Sequence, residues 1–451
     1  MNESSRTGLE AGAPSAMTPG NLTLALAAAL EREGVSYVYL RNYERLPEDV
    51  GNDVDLLVAA GNKRKAAAVL RREAVRFGWL YLGETEFSSL AVYFADAATG
   101  ETLHLDLFDK LCWHFLEYAD AEGFLERRVW NGRVFIPDPR DELYLNLSSR
   151  LIYHGNIREK HRKLAADRLA EHGGTWVGET FERHLGTGGA AFARTLQAAD
   201  WKGNAALRNE LRKRALGNLG TRRWGSLLAS CLGYGGRIIG KLRVPPGKFL
   251  VFEGADGVGK STILEAVIPW LRGWCAGRDP YDFHWKPLTL HTGERQASPS
   301  VDPRGKGLRG PVASLAYLAY HLAGFWWGWC TRIYPRLIRS HAIVGDRYSY
   351  DLFLDPHRFR LDLPDWVCRW AAKSAPRPDL AVGLHAPPET VHARKPELSP
   401  EEIARYQARW RSLSAGRPWM ISVAAEGPRE EVIARVKRAI LVAMAERVDD
   451  R

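Results

Sequence analysis

The sequence predicts an α/β protein: a C-terminal parallel sheet flanked by helices, a small N-terminal α/β unit, and a basic helical region between them. Three observations carry this. A β-rich run at 248–253 leads directly into a glycine-rich turn and then a helical run at 262–271. Short β-rich runs at 35–40, 54–58 and 103–108 alternate with helical patterns such as 22–32 and 63–77. From 151 to 241 strand signals are absent, and segments such as 157–172 and 205–216 read as amphipathic basic helices.

The boundaries follow in order along the chain. Residues 1–20 are mostly Ser, Gly, Ala and Pro with scattered charges, and are expected to be a disordered lead-in. They lack the basic start and apolar run that export requires. The first organised unit spans 21–150, and the basic helical region with its linker spans 151–244. Pro245, Pro246 and Gly247 break the pattern, and the second sheet unit spans 245–451.

Composition narrows the function classes. The 451 residues are 45% hydrophobic and 26% charged, ordinary for a globular protein. Five cysteines lie far apart with no Cys-x-x-Cys pair, which argues against a zinc site and a disulfide scaffold and fits a cytoplasmic protein. The net charge is +10, and the region 151–245 holds 17 Lys or Arg against 7 Asp or Glu, so that one region carries the whole excess. It reads as a solvated helical face, or as contact with an anionic partner or membrane surface. The run 312–329 has no formal charge and sits at the lower edge of spanning length. Its Gly324, Gly328 and His321 favour a buried helix over peripheral membrane contact.

The turn after the first C-terminal strand is Gly254-Ala255-Asp256-Gly257-Val258-Gly259-Lys260-Ser261, the G-x-x-x-x-G-K-[ST] spacing of a P-loop. Glycines let successive backbone N–H groups turn inward around a phosphate, and the helix that Thr262 continues presents its positive dipole end. Lys260 is expected at the β- and γ-phosphates of ATP, and the Ser261 hydroxyl on Mg²⁺. Asp256 is an acid within the loop, read as pointing toward the acceptor and able to accept a hydrogen bond from a hydroxyl.

A second constellation follows a short apolar strand at 342–344, ending in Gly345-Asp346-Arg347-Tyr348. Ligands gather at the carboxyl ends of strands in open α/β sheets. Asp346 is therefore expected to bind Mg²⁺ through water, and Arg347 to grip an acceptor phosphate. Another strand at 379–384 precedes a helix opened by Pro387, Pro388 and Glu389. Arg394, near the end of that helix, is expected to screen charge as the phosphoryl group moves. A strand at 421–424 and a helix at 430–445 complete the unit.

In FEGADGVGKST, GDRYSYD, RPDLAVGLHAPPE and ISVAAEGPREEV, the chain from about 248 onward resembles the thymidylate kinase family. The resemblance implies a P-loop NTPase fold, ATP as donor, Mg²⁺, Asp256 facing the acceptor sugar and Arg347 facing the acceptor phosphate. Family members are often dimers, so it also implies a homodimer. The departures lie on the acceptor side. Tyr350-Asp351-Leu352-Phe353-Leu354-Asp355-Pro356 replaces the helix that reads thymine, and His284-Trp285-Lys286-Pro287 replaces the acceptor-phosphate loop, with Lys286, Arg295 and Arg304 as remaining cations. That variant ending resembles kinase-like proteins associated with bacterial surface-polysaccharide gene clusters. The acceptor is thus a nucleoside monophosphate such as dTMP, or a sugar or sugar phosphate.

In the first unit, Asp53 and Asp55 stand at alternate positions and share one face of a strand, and Asp106 lies on another. Three acids on two Mg²⁺ ions is the arrangement nucleotidyl transfer needs. Residues 35–108 resemble the nucleotidyltransferase superfamily, with Arg41-Asn42 where that family has a Gly-Ser pair. The alternatives are a live metal site, an inactive substrate-binding relic and coincidence. A P-loop module that switches the basic region onto an anionic partner is a further reading.

Overall fold

The computed structural model describes residues 17–449, apart from 52, 114–115, 186–193, 195–207, 210, 214–223, 275–277, 289 and 291–306. Most of the lead-in 1–20, most of 205–216, and Arg295 and Arg304 therefore lie outside the described residues.

The N-terminal sheet contains β1 (Tyr37–Tyr39), β2 (Val54–Val58), β3 (Leu80–Glu86), β4 (Leu90–Ala95) and β5 (Thr102–Phe108), in the order β1-β2-β5-β4-β3. Only the β2–β5 pair is parallel. Helices Pro19–Arg32 and Lys63–Arg76 pack their alanine- and leucine-rich faces into the same core. Two hairpins follow, β6 (Leu111–Trp113) with β7 (Leu116–Ala119) and β8 (Val129–Trp130) with β9 (Phe135–Ile136). Helix Pro139–His154 then begins on an Asp138 cap and ends at Gly155, whose φ of 72° is the left-handed cap that glycine supplies. Helix Glu159–Leu185 packs against it, broken at Gly173, and helix Trp224–Arg243 leads to the linker.

The C-terminal sheet contains β10 (Lys248–Glu253), β11 (Tyr281–His284), β12 (Ala342–Asp346), β13 (Leu380–His385) and β14 (Met420–Ala424). All pairs are parallel, in the order β11-β12-β10-β13-β14. The near-continuous apolar runs of β10 and β13 belong to strands buried on both faces. Helices Lys260–Trp270, Pro311–Gly328, Asp365–Ser374, Pro400–Ser414 and Arg429–Asp449 surround the sheet. Strand β10 is central: the chain runs from it to the edge strand β11, returns to β12, then crosses β10 to β13 and β14. Its carboxyl end is thus the switch point where ligands sit.

Four expectations need correction. The lead-in ends earlier than residue 20, because Thr18 caps a helix that starts at Pro19. The break at 150 falls inside helix Pro139–His154, so the first unit and the basic region are continuous there. The run 312–329 forms a helix, but it is not a buried one. Leu318, His321 and Phe325 face the core, whereas Val312 is 85% and Trp327 67% exposed. Its uniform apolarity hides the fact that a single stripe reaches the sheet. No described helix is long and apolar enough to cross a membrane. Finally, the sequence pattern does not announce β3, β4, the β6–β7 and β8–β9 hairpins, or β11.

The two sheets are not independent bodies. Leu82 of β3 and Ala95 of β4 belong to the same buried cluster as the C-terminal sheet, helix Arg429–Asp449 packs on β3, and the Trp270 indole N–H donates to the Gly100 carbonyl at 2.9 Å.

Candidate active site

The loop after β10 wraps back on itself. The Lys260 ammonium donates to the carbonyls of Gly254 at 2.6 Å and Ala255 at 3.2 Å, inside the ring of the loop. Burial, reinforced by the Arg347 charge, pushes that ammonium down to about 8. Gly259 caps the following helix at φ 100°, a conformation glycine adopts without strain. At Gly257 (φ 91°) a side chain would strike the Val391 carbonyl at 2.9 Å, so the end of helix Pro388–Arg394 lies against the loop. Ser261 is exposed and Thr262 half-buried at the start of the helix.

Arg347 departs most from its expected role. Its side chain is 3% exposed and is clamped between two carboxylates, donating to Asp256 at 2.6 Å and Asp351 at 2.7 Å. Its backbone N–H meets the Phe252 carbonyl and its φ is 73°, a left-handed turn taken by a non-glycine residue. Asp256 also accepts from Arg358 at 3.2 Å. Burial opposes the Asp256 charge, but Arg347, Lys260 and Arg358 hold its carboxyl well below the usual range. The two residues expected on the acceptor side pair with each other.

Beneath them lies a polar network that sequence reasoning missed. Glu253 is wholly buried, accepting from the Tyr348 N–H at 2.8 Å and from the Tyr406 hydroxyl at 3.3 Å. Burial, then the nearby Asp351 charge, push its carboxyl well above the ordinary carboxylate range. The Tyr406 oxygen lies 3.1 Å from Asp351 and accepts the Gly254 N–H at 3.1 Å. The glycine-rich loop is thereby tied to the Arg347 cluster.

Parallel pairing sets Phe252 opposite Asp346, placing Asp346 at the strand end beside the loop. His284 Nδ1 lies 3.3 Å from its carboxylate, across the β11–β12 pair. Lys286 sits over the rings of Trp285 and Tyr320, and burial lowers its ammonium. Arg394 is exposed at the end of its helix, next to the Lys395 that approaches Gly257.

In the N-terminal sheet, the parallel register sets Asp55 directly opposite Asp106. Adjacent strands lie about 4.8 Å apart, and oxygens of Asp53, Asp55 and Asp106 fall within 4.8 Å of one another. The Arg41 guanidinium pairs with Asp55, and Ser89 donates to Asp106 at 2.6 Å. Burial pushes Asp55 up to about 7 against the pull of Arg41. Its native proton affinity therefore exceeds its unfolded one, and this group's contribution to stability falls as pH rises from about 4 to about 7. Asp55→Asn should flatten that decline, read from urea unfolding at about pH 5 and about pH 8. Parallel curves for both proteins would mean that Asp55 is ionised throughout.

Comparison with known proteins adds to this geometry. No family model matches the chain. Over 157 residues it is 31% identical to a thymidylate kinase from Thiobacillus denitrificans, covering 33% of this chain and 70% of that protein. The chain belongs to the thymidylate kinase family. A solved thymidylate kinase from Ehrlichia chaffeensis matches at 14% identity with a TM-score of 0.30, over 44% of this chain and all of that one. In the thymidylate kinase-like part, the glycine-rich loop after β10, Asp346 and the Arg347 cluster all lie at one end of a parallel sheet.

Proposed function

We propose that the protein is an ATP-dependent kinase that transfers the γ-phosphoryl group to a small acceptor, with a nucleoside monophosphate such as dTMP as the first to test. The observation that carries this reading is the Lys260 ammonium held inside a closed phosphate loop, with Asp346 at the adjacent strand end. The residues fit ATP with Mg²⁺. Ser261 and Asp346 are the oxygen donors that would hold the ion, which supplies charge neutralisation at the phosphates. Backbone N–H groups of Gly257, Val258 and Gly259, with Thr262 behind them, cradle the donor phosphates.

An acceptor oxygen attacks the γ-phosphorus in line, the bond to the β–γ bridging oxygen breaks, and ADP leaves. Lys260 follows the charge onto the leaving group, and Arg394 closes over it from the exposed helix end. Arg347 acts as a positioning residue: it holds Asp256 toward the acceptor, with Asp351 behind it.

The test is ADP release with Mg-ATP against dTMP, other nucleoside monophosphates, sugars and sugar phosphates, with Lys260→Ala as blank. Turnover with dTMP is the expected result. Turnover with a sugar alone moves the protein to carbohydrate phosphorylation, and silence across the panel overturns the kinase reading.

The converging acids favour one second reading, nucleotidyl transfer by the N-terminal sheet. Their spacing fits a divalent cation such as Mg²⁺, and Arg41 already neutralises Asp55. Loss of product in Asp53→Asn and Asp106→Asn, with Lys260→Ala harmless, would select it.

A further inference from the structure

A cleft of about 1110 Å³ separates the N-terminal sheet from the C-terminal one. It lies at the far end of the C-terminal sheet from the phosphate loop. Gly247 and Lys248, where β10 begins, and Asp379, just ahead of β13, form its floor. Six strand residues put roughly 20 Å between the two ends.

The charges lining this cleft do not balance. Each of its acids is already engaged. Glu84 and Glu86 pair with Arg64, and Glu86 also lies 3.0 Å from Lys63. Asp379 accepts the Phe249 N–H at 2.9 Å and pairs with Arg447. Arg237, Lys241, Arg243, Lys248 and Arg377 also line the cleft, and none has a carboxylate partner among the described residues.

The wall that carries three of these cations, Arg237, Lys241 and Arg243, is built for close approach. Gly233, Gly236 and Gly240 recur every three or four residues along helix Trp224–Arg243, so bare backbone lines the cleft between Arg237 and Lys241. Lys241 lies over the Phe87 ring at 4.5 Å. Burial and the Arg278 charge lower its ammonium, and such same-sign crowding is relieved when an anion enters. Tyr81, Tyr93 and Trp329 add flat apolar surface to the same walls.

We propose that this cleft is a second ligand site, for a phosphate-bearing group with at least two negative charges, separate from the phosphate loop. The group belongs either to a soluble phosphate ester or to an anionic lipid headgroup. Leu232, Ile239 and Leu242 are exposed on the same helix, so both sources are physically open.

The experiment uses the full chain carrying Lys260→Ala, which removes the loop's cation. Inorganic pyrophosphate is titrated calorimetrically without Mg²⁺. In parallel, the protein is sedimented with phosphatidylcholine vesicles, with and without phosphatidic acid, whose phosphomonoester can carry two negative charges. At least one probe should bind, and binding should weaken on the order of a hundredfold in Arg237→Glu with Lys241→Glu, a tenfold loss per reversed charge. Arg237→Lys with Lys241→Arg should keep most of it. Pyrophosphate binding assigns a soluble ligand, and capture by anionic vesicles alone assigns a lipid headgroup. If the reversed pair unfolds, Arg237→Gln with Lys241→Gln replaces it. Failure of both probes, binding that needs Lys260, or binding indifferent to the substitutions overturns the proposal.

Discussion

Arg347→Met should destabilise the protein by about 3–5 kcal/mol, the usual cost of removing one partner from a buried ion pair. The guanidinium serves Asp256 and Asp351, and Asp351 has no exposed surface. Methionine fills much of the volume and leaves the buried Asp351 without its cation, whereas Asp256 keeps Arg358 at 3.2 Å. Urea unfolding at about pH 8 measures the loss. Adding Asp351→Asn should recover part of it, since that removes the stranded charge. A loss below about 1 kcal/mol would show that water compensates the pair as it does at a surface.

Lys260→Ala should lower phosphoryl transfer on the order of a hundredfold to a thousandfold, the scale for losing one preorganised charge-stabilising donor. The fold should survive, because the ammonium bonds only two loop carbonyls that the helix dipole and neighbouring N–H groups still serve. A pH signature accompanies it. With the free ammonium at about 8, phosphates beside it raise its proton affinity. ATP binding should therefore take up almost no proton at about pH 6.5 and approach one proton at about pH 9. Calorimetry in buffers of different ionisation enthalpy reads this directly. Uptake unchanged in Lys260→Ala would place the titrating group elsewhere.

The parts of this site legible in the sequence were those written locally. Strand, glycine turn, Lys260 and Ser261 are contiguous, so backbone conformation and chemistry could be read together. The Asp53, Asp55 and Asp106 cluster was also legible, because strand alternation fixes which face an acid takes; only the parallel register that joins β2 to β5 lay beyond local reading. Tyr406 could not be found, since it meets Glu253 from 153 residues away and nothing near either residue announces the other. Arg358 escaped for the same reason. Arg347 was recognised, but its carboxylate partners were not. A strand-end arginine looks free until Asp351, one turn later, is seen to share its fork. The helix at 311–328 shows the converse limit, because an apolar sequence reports what a helix tolerates and not how much of it the fold covers.

The packing of helix Arg429–Asp449 on β3, with Leu82 and Ala95 sunk into the neighbouring cluster, bears on how the molecule melts. Two halves sharing apolar cover cannot lose their structure separately without laying part of it open to water. Calorimetric heating should accordingly give one endotherm, and a fragment beginning at Pro245 should be sticky and short-lived, however complete its phosphate loop.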